Sequence, residues 1–130
     1  MNHEQVRSYM LELPQAREDY PFGPDVMVMK VADKMFASLS RIQTPAAGPW
    51  RMNLKCNPEE ALILRDIFTA VLPGYHMNKR HWNTVLLDGS IPRGELERMM
   101  DNSYELVVAG MPARRRKPLQ RLMQSQRSEQ

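Results

Sequence analysis

Twelve consecutive residues, Gly74-Tyr75-His76-Met77-Asn78-Lys79-Arg80-His81-Trp82-Asn83-Thr84-Val85, bring together two imidazoles, two cations, two amides and two aromatics. Arg80 can clamp a phosphate or carboxylate in a planar fork, and Lys79 adds a point charge. Tyr75 and Trp82 offer flat faces for a base or ring, and Asn78 or Asn83 can read a hydrogen-bonding edge. A second set lies upstream. Trp50-Arg51-Met52-Asn53-Leu54-Lys55-Cys56 alternates strictly, so as a strand it turns Arg51, Asn53 and Lys55 to one face and the apolar side chains to the other. The candidate nucleic-acid or anion surface is therefore Lys79, Arg80, His81, His76, Asn78 and Trp82, joined by Arg51, Asn53 and Lys55. The competing reading is structural: Trp82 fills core, Asn78 supports a turn and the charges are solvated.

Other chemistries find less support. His76 and His81 stand five residues apart, like the histidine pair of a zinc finger, but no paired CxxC element accompanies them. Cys56 and His3 would have to arrive from elsewhere, so no metal site is expected. Cys56 sits on the apolar face of its strand, which makes it an inert packed thiol rather than a nucleophile. No GxSxG elbow, P-loop or GxGxxG loop is present. The carboxylates lie on helices as ordinary solvated charges. Neither catalysis nor a cofactor is expected. The eleven methionines read first as adaptable core filler, Met27, Met29, Met35, Met52, Met99 and Met100 among them, with a Met-rich ligand groove as the alternative.

The elements that must position these residues follow from periodicity. Val6, Tyr9, Met10 and Leu13 fall on one helical face over residues 3–13, and Pro14 ends that helix. Tyr20-Pro21-Phe22-Gly23-Pro24-Asp25 is a rigid turn whose two aromatics are expected to pack back on the body. Val26–Val31 and Met35–Leu39 form a hairpin about Ala32-Asp33-Lys34, and residues 43–49, with Pro45, Gly48 and Pro49, form a loop. Asn57-Pro58-Glu59-Glu60 opens a helix, with Asn57 as cap, Pro58 at the first position and Glu60 completing a variant capping box. Ala61, Leu64, Phe68 and Val71 carry its stripe toward Pro73-Gly74. His81–Leu87 is a further strand, closed by Asp88-Gly89. From Pro92 the helical period runs to Met111, and Asp101-Asn102-Ser103 divides it into two short helices. Antiparallel strands with helices to one side make an α+β fold.

The chain has 130 residues, 42% apolar and 25% charged, the size of one domain with a true core. No apolar run approaches the ~20 residues of a membrane span. A lone Cys56 and an N-terminus without a signal pattern point to the cytoplasm, and a monomer is expected. The net charge of +3 is unevenly placed. Residues 1–110 carry 12 Lys/Arg against 14 Asp/Glu, a net of −2, whereas residues 111–130 carry 6 against 1, a net of +5. Residues 1–111 thus read as the domain and 112–130 as a basic, flexible tail that contacts phosphates or is simply solvated.

Phe22-Gly23-Pro24-Asp25, Asn53-Leu54-Lys55-Cys56, Pro73 to Val85 and Ser103-Tyr104-Glu105-Leu106-Val107, in this order and spacing, resemble the MmcQ/YjbR family from about residue 3 to 111. That resemblance implies a bacterial cytoplasmic α+β domain of CyaY-like (frataxin-like) type, with a sheet backed by helices. It also implies a "double wing" DNA-binding role and no attached enzymatic activity. It suggests iron only weakly, because the first helix carries Arg7 beside Glu4 and Glu12. Two function classes result: a DNA-binding module, or a protein that binds an anionic small molecule through the 74–85 loop. A protein-interaction module, marked by an exposed apolar patch, is the third.

Overall fold

The computed structural model describes residues 1–41 and 48–129. The loop expected over 43–49 falls largely on residues outside that description. Helix α1 (His3–Leu11) starts at Asn2, whose side chain accepts from the Gln5 amide while Gln5 reaches back, a complete capping box. Strands β1 (Arg17–Asp19), β2 (Val26–Val31), β3 (Lys34–Arg41) and β4 (Trp50–Lys55) follow. Next come α2 (Pro58–Ile67), β5 (Val71–Pro73), β6 (Trp82–Leu86), α3 (Arg93–Ala109) and α4 (Ala113–Ser128). The six strands form one antiparallel sheet in the order β1-β2-β3-β4-β6-β5. Helices pack on one side of it, so the fold is α+β. No helix among the described residues is long and apolar enough to cross a membrane.

The β2–β3 hairpin turns on Ala32 and Asp33, with φ of 46° and 65°, the left-handed pair that a two-residue turn between twisted strands demands. A bulge near Met29/Lys30 shifts the register and sends Phe36 and Ala37 to the same side. Phe36 meets the Tyr104 ring of α3 edge-on at 5.4 Å. Met27, Met29, Leu39, Met52, Leu54 and Val85 join Met99 and Met100 of α3 in one buried core, which places these methionines as core filler; Met35, expected among them, is only half-buried and faces the open side of the sheet. On the same side His3 of α1 stacks on Trp50 at 4.1 Å.

Four expectations are corrected. The helix from Pro92 is continuous through Asp101-Asn102-Ser103. Ser103 is fully buried and bridges to the sheet, donating to the Phe36 carbonyl at 2.5 Å and accepting from the Lys55 amide at 2.8 Å. Its hydroxyl therefore serves β3 and β4 instead of starting a new helix. Second, Glu60 closes no capping box, because its carboxylate accepts from Arg98 at 2.5 Å; Asn57 does cap, accepting from the Glu59 amide at 3.0 Å. Third, α2 stops at Ile67, and Val71–Pro73 is the edge strand β5. Arg17–Asp19, unassigned from sequence, is the opposite edge.

Fourth, the expected flexible tail is helix α4. Leu119 and Met123, four residues apart, are buried on the body, and Gln126 donates to the Glu12 carbonyl at 2.9 Å. Arg127 pairs with Glu105 of α3. Two apolar residues in a strongly polar segment suffice to dock a helix whose other faces stay wet.

Between α1 and α3, the Tyr9 hydroxyl donates to Asp101 Oδ1 at 2.9 Å. Burial pushes the Asp101 carboxyl above its ordinary range, and the Tyr9 hydrogen bond only partly opposes this. The folded protein thus holds that proton more tightly than the unfolded chain does. The resulting stabilisation is present at acid pH and is lost as pH rises through the folded-state value. Asp101→Asn, which keeps an acceptor for Tyr9, is expected to raise Tm at pH 7. The gain should vanish below the ordinary aspartate pKa of about 3.9; thermal melts at pH 3 and 7 check this.

Candidate functional site

The face of the sheet away from the helices carries the polar alternates of the central strands. Register sets Ser38 opposite Asn53 and Ser40 opposite Arg51, then Asn53 opposite Thr84 and Lys55 opposite Trp82. A hydrogen-bonded chain crosses three strands there. Asn53 Nδ2 donates to Ser38 Oγ at 3.0 Å, Thr84 Oγ1 donates to Asn53 Oδ1 at 2.5 Å, and the Tyr75 amide donates to Thr84 Oγ1 at 2.8 Å. Asn53 is therefore an orienting residue with its amide engaged on both sides, and the chain fixes where the loop after β5 leaves the sheet.

That loop closes one wall of an open groove of about 710 Å³. Arg51 and Asn53 lie on its floor with Ser38 and Ser40; Tyr75, His76 and Met77 form one wall, and Phe22, Asp25, Val26 and Met35 the other, with Arg41 at the end. The Arg51 guanidinium lies over the Tyr75 ring, 4.5 Å from its centroid. Tyr75 in turn packs against the His76 ring at 4.1 Å, and His76 takes a left-handed φ of 56° in the turn. Among the described residues neither Arg51 nor Arg41 pairs with a carboxylate, and Asp25 pairs with no cation. A guanidinium with no ion-pair partner keeps a fork of donors whose geometry suits a carboxylate or phosphate.

Two aromatics at the groove are strongly exposed, Tyr75 at 53% and Phe22 at 74%. Phe22 was expected to pack back on the body and does not. Pro21 and Pro24 stiffen its turn, Gly23 takes φ of 100°, and the side chain is presented outward.

The expected site residues divide. Arg51, Asn53 and His76 come together in the groove. Lys55 and Trp82 share the open face but line no part of the groove. Lys79 stays exposed but folds back on its own turn, its Nζ donating to the Gly74 carbonyl at 3.0 Å, and Asn78 is engaged in the turn, accepting from the Arg80 amide at 2.9 Å. Arg80 is exposed outside the groove, and His81 lends its carbonyl to the Cys56 amide at 2.8 Å. Arg65 of α2, which sequence reasoning missed, organises this stretch. Its Nε donates to Asn83 Oδ1 at 2.7 Å, and its Nη2 reaches the carbonyls of Lys79 and Trp82. Nothing local in α2 marks Arg65 for that task. Ser38 and Ser40 were also missed, although two hydroxyls spaced by two in an apolar strand are the mark of a polar face.

No three His, Cys, Asp or Glu side chains converge as metal ligands among the described residues. Cys56 is buried, and burial pushes its thiol up to about 11, which leaves it protonated at neutral pH.

Comparison with known proteins places these features. The family model YjbR matches residues 11–106, a span running from the end of α1 into α3. The chain is similar to "Uncharacterized protein YbdF" of Escherichia coli O157:H7, 36% identical over 88% of this chain and 91% of that protein. It is also similar to "Uncharacterized protein YjbR" of Escherichia coli strain K12, 33% identical over 94% of this chain and all of the relative (100%). Among solved structures it resembles Deinococcus radiodurans protein DR2400, which has a DUF419 domain, with a TM-score of 0.80 and 36% identity over 91% of this chain and 87% of that one. A Pseudomonas syringae protein follows with a TM-score of 0.72 and 32% identity over 82% and 98% of the two chains. With the matched span covering the sheet, the groove loop and most of α3, the chain belongs to the YjbR family.

Proposed function

We propose that this protein binds a small anionic ligand carrying a flat ring, seated in the groove above β3 and β4. The observation that carries the reading is Arg51, held over Tyr75 on the groove floor with no carboxylate partner among the described residues. A guanidinium fixed by stacking keeps its fork of donors free for a carboxylate or phosphate at low entropic cost. The groove volume of about 710 Å³ lies within the ~300–1,000 Å³ range of small-ligand sites. Exposed Phe22 and Tyr75 offer apolar faces for a ring, and Ser38, Ser40 and Asp25 offer hydrogen-bonding partners at the same surface. The role we read is binding, since among the described residues the groove pairs no nucleophile with a base.

DNA binding by a CyaY-like double wing is the second reading. Lys55 on the open face and Arg80 on the adjoining loop favour it, with the β2–β3 hairpin and the β5–β6 loop as the wings. The net charge of −2 over residues 1–110 and the tie of Lys79 Nζ to the Gly74 carbonyl weigh toward the small ligand, because a duplex-binding face is normally basic.

Calorimetric titration with three probes tests the proposal: adenosine monophosphate, adenosine and inorganic phosphate. The mononucleotide should bind more tightly than either part. Equal affinity for the nucleotide and for phosphate alone would remove the ring from the reading, and heat from none of the three would sink it.

A further inference from the structure

Helix α4 carries a feature that the groove does not use. Arg114, Lys117 and Arg121 follow one another at three and four residues, so they share a helix face, and all three are exposed. Leu119 and Met123, which dock the helix, are buried on the opposite side. None of the three cations makes an ion pair or a side-chain hydrogen bond among the described residues, whereas Arg116 and Arg127 are engaged with the Met111 carbonyl and Glu105. Helix formation does not account for the stripe. The first turn of α4 has no acidic residue, and cations at a helix N-terminus oppose the macrodipole. Pro118 inside the helix removes one backbone hydrogen bond as well. The segment thus gives up local stability to gather positive charge, and the N-terminal end of the dipole adds to the same field.

We propose that this stripe docks the phosphate backbone of a nucleic acid, on a surface separate from the groove. Arg114 to Arg121 spans roughly 10 Å of helix at ~1.5 Å per residue. Over that length three long, unpaired side chains can reach successive phosphates of one strand, one for each cation. An anionic membrane is disfavoured, because an interfacial helix needs an apolar face to insert. Leu119 and Met123 are already used in docking, and only Leu122 is left exposed among the large apolar residues of α4. The contacts carry no base readout, so the binding is sequence-independent.

The experiment uses the full chain, a labelled mixed-sequence 20-base-pair duplex and fluorescence anisotropy across salt. Three phosphate contacts predict a slope near −2.7 in log affinity against log salt, or about 40-fold weakening from 50 to 200 mM. Arg114→Gln/Lys117→Gln/Arg121→Gln should abolish that salt-dependent binding while its helix content and Tm equal or exceed those of the parent. The proposal is overturned if the parent fails to bind the duplex at 50 mM salt, or if the triple variant binds like the parent. It is equally overturned if Arg80→Ser, in the β5–β6 loop, removes binding that the triple variant keeps. Binding to vesicles of anionic lipid without binding to the duplex contradicts it too.

Discussion

Arg51→Met is expected to weaken adenosine monophosphate binding about 30-fold or more while leaving the fold in place. Truncating a charged partner of a hydrogen-bonded anion costs ~2–5 kcal/mol, and an open, hydrated groove takes the lower end, which converts to that factor at ~1.4 kcal/mol per tenfold. Methionine keeps an unbranched stem on the sheet face and removes only the charge and the contact with Tyr75. The parent protein loses little by this, because an exposed cation–π pair contributes about 0.5–1 kcal/mol and Arg51 holds no ion pair among the described residues. Arg51→Lys should fall between the two, since it retains charge but neither stacks as a plane nor offers a fork. Calorimetry on the three proteins gives the order; equal affinities would take Arg51 out of the site.

Gly74→Ala should have the largest effect on the fold of the site. A Cβ at Gly74 would stand 2.9 Å from both the Cβ and the carbonyl oxygen of Trp82 and 3.0 Å from the Met77 Cβ, contacts that backbone movement alone can relieve. The Gly74 amide donates to that same Trp82 carbonyl at 3.0 Å, and the Gly74 carbonyl receives Lys79 Nζ. Displacement here therefore loosens the end of the β5–β6 pair and moves Tyr75 off Thr84. Overpacking of this kind costs ~1–3 kcal/mol, or roughly 4–11 °C of Tm for a chain this size. Nucleotide affinity should fall with it. Gly94→Ala, where a Cβ meets nothing within 4 Å, is the control and should hold or raise Tm. If both alanines melt alike, close packing at Gly74 is not what shapes the loop.

These residues also indicate what a sequence can convey. The alternation of Trp50–Cys56 announced β4 and its polar face, because strand parity is a local property. Asn57-Pro58 likewise located the start of α2. What failed was long-range. Ser103 looked like a helix cap until its hydroxyl was found between Phe36 and Lys55, partners 67 and 48 residues away. The 74–85 segment is dense in chemistry, yet its cations do not form a row: Lys79 is tied to the Gly74 carbonyl and Arg65, from another element, holds the backbone around it. The partners of Arg51 were only half legible. Tyr75 stood in the segment already under suspicion, whereas Phe22, Asp25 and Arg41 reach the groove through the order of strands. The basic tail misled by composition, because charge density hid the two apolar residues that dock α4.

The most direct test of the groove is the mononucleotide titration followed residue by residue through backbone amide shifts in NMR. Saturation with adenosine monophosphate should move the amides of Arg51, Asn53, Tyr75, His76 and Phe22 together, on one binding curve, and leave α4 unchanged. Shifts confined to α4, or scattered over the surface without saturating, would contradict a ligand site on the open face of the sheet.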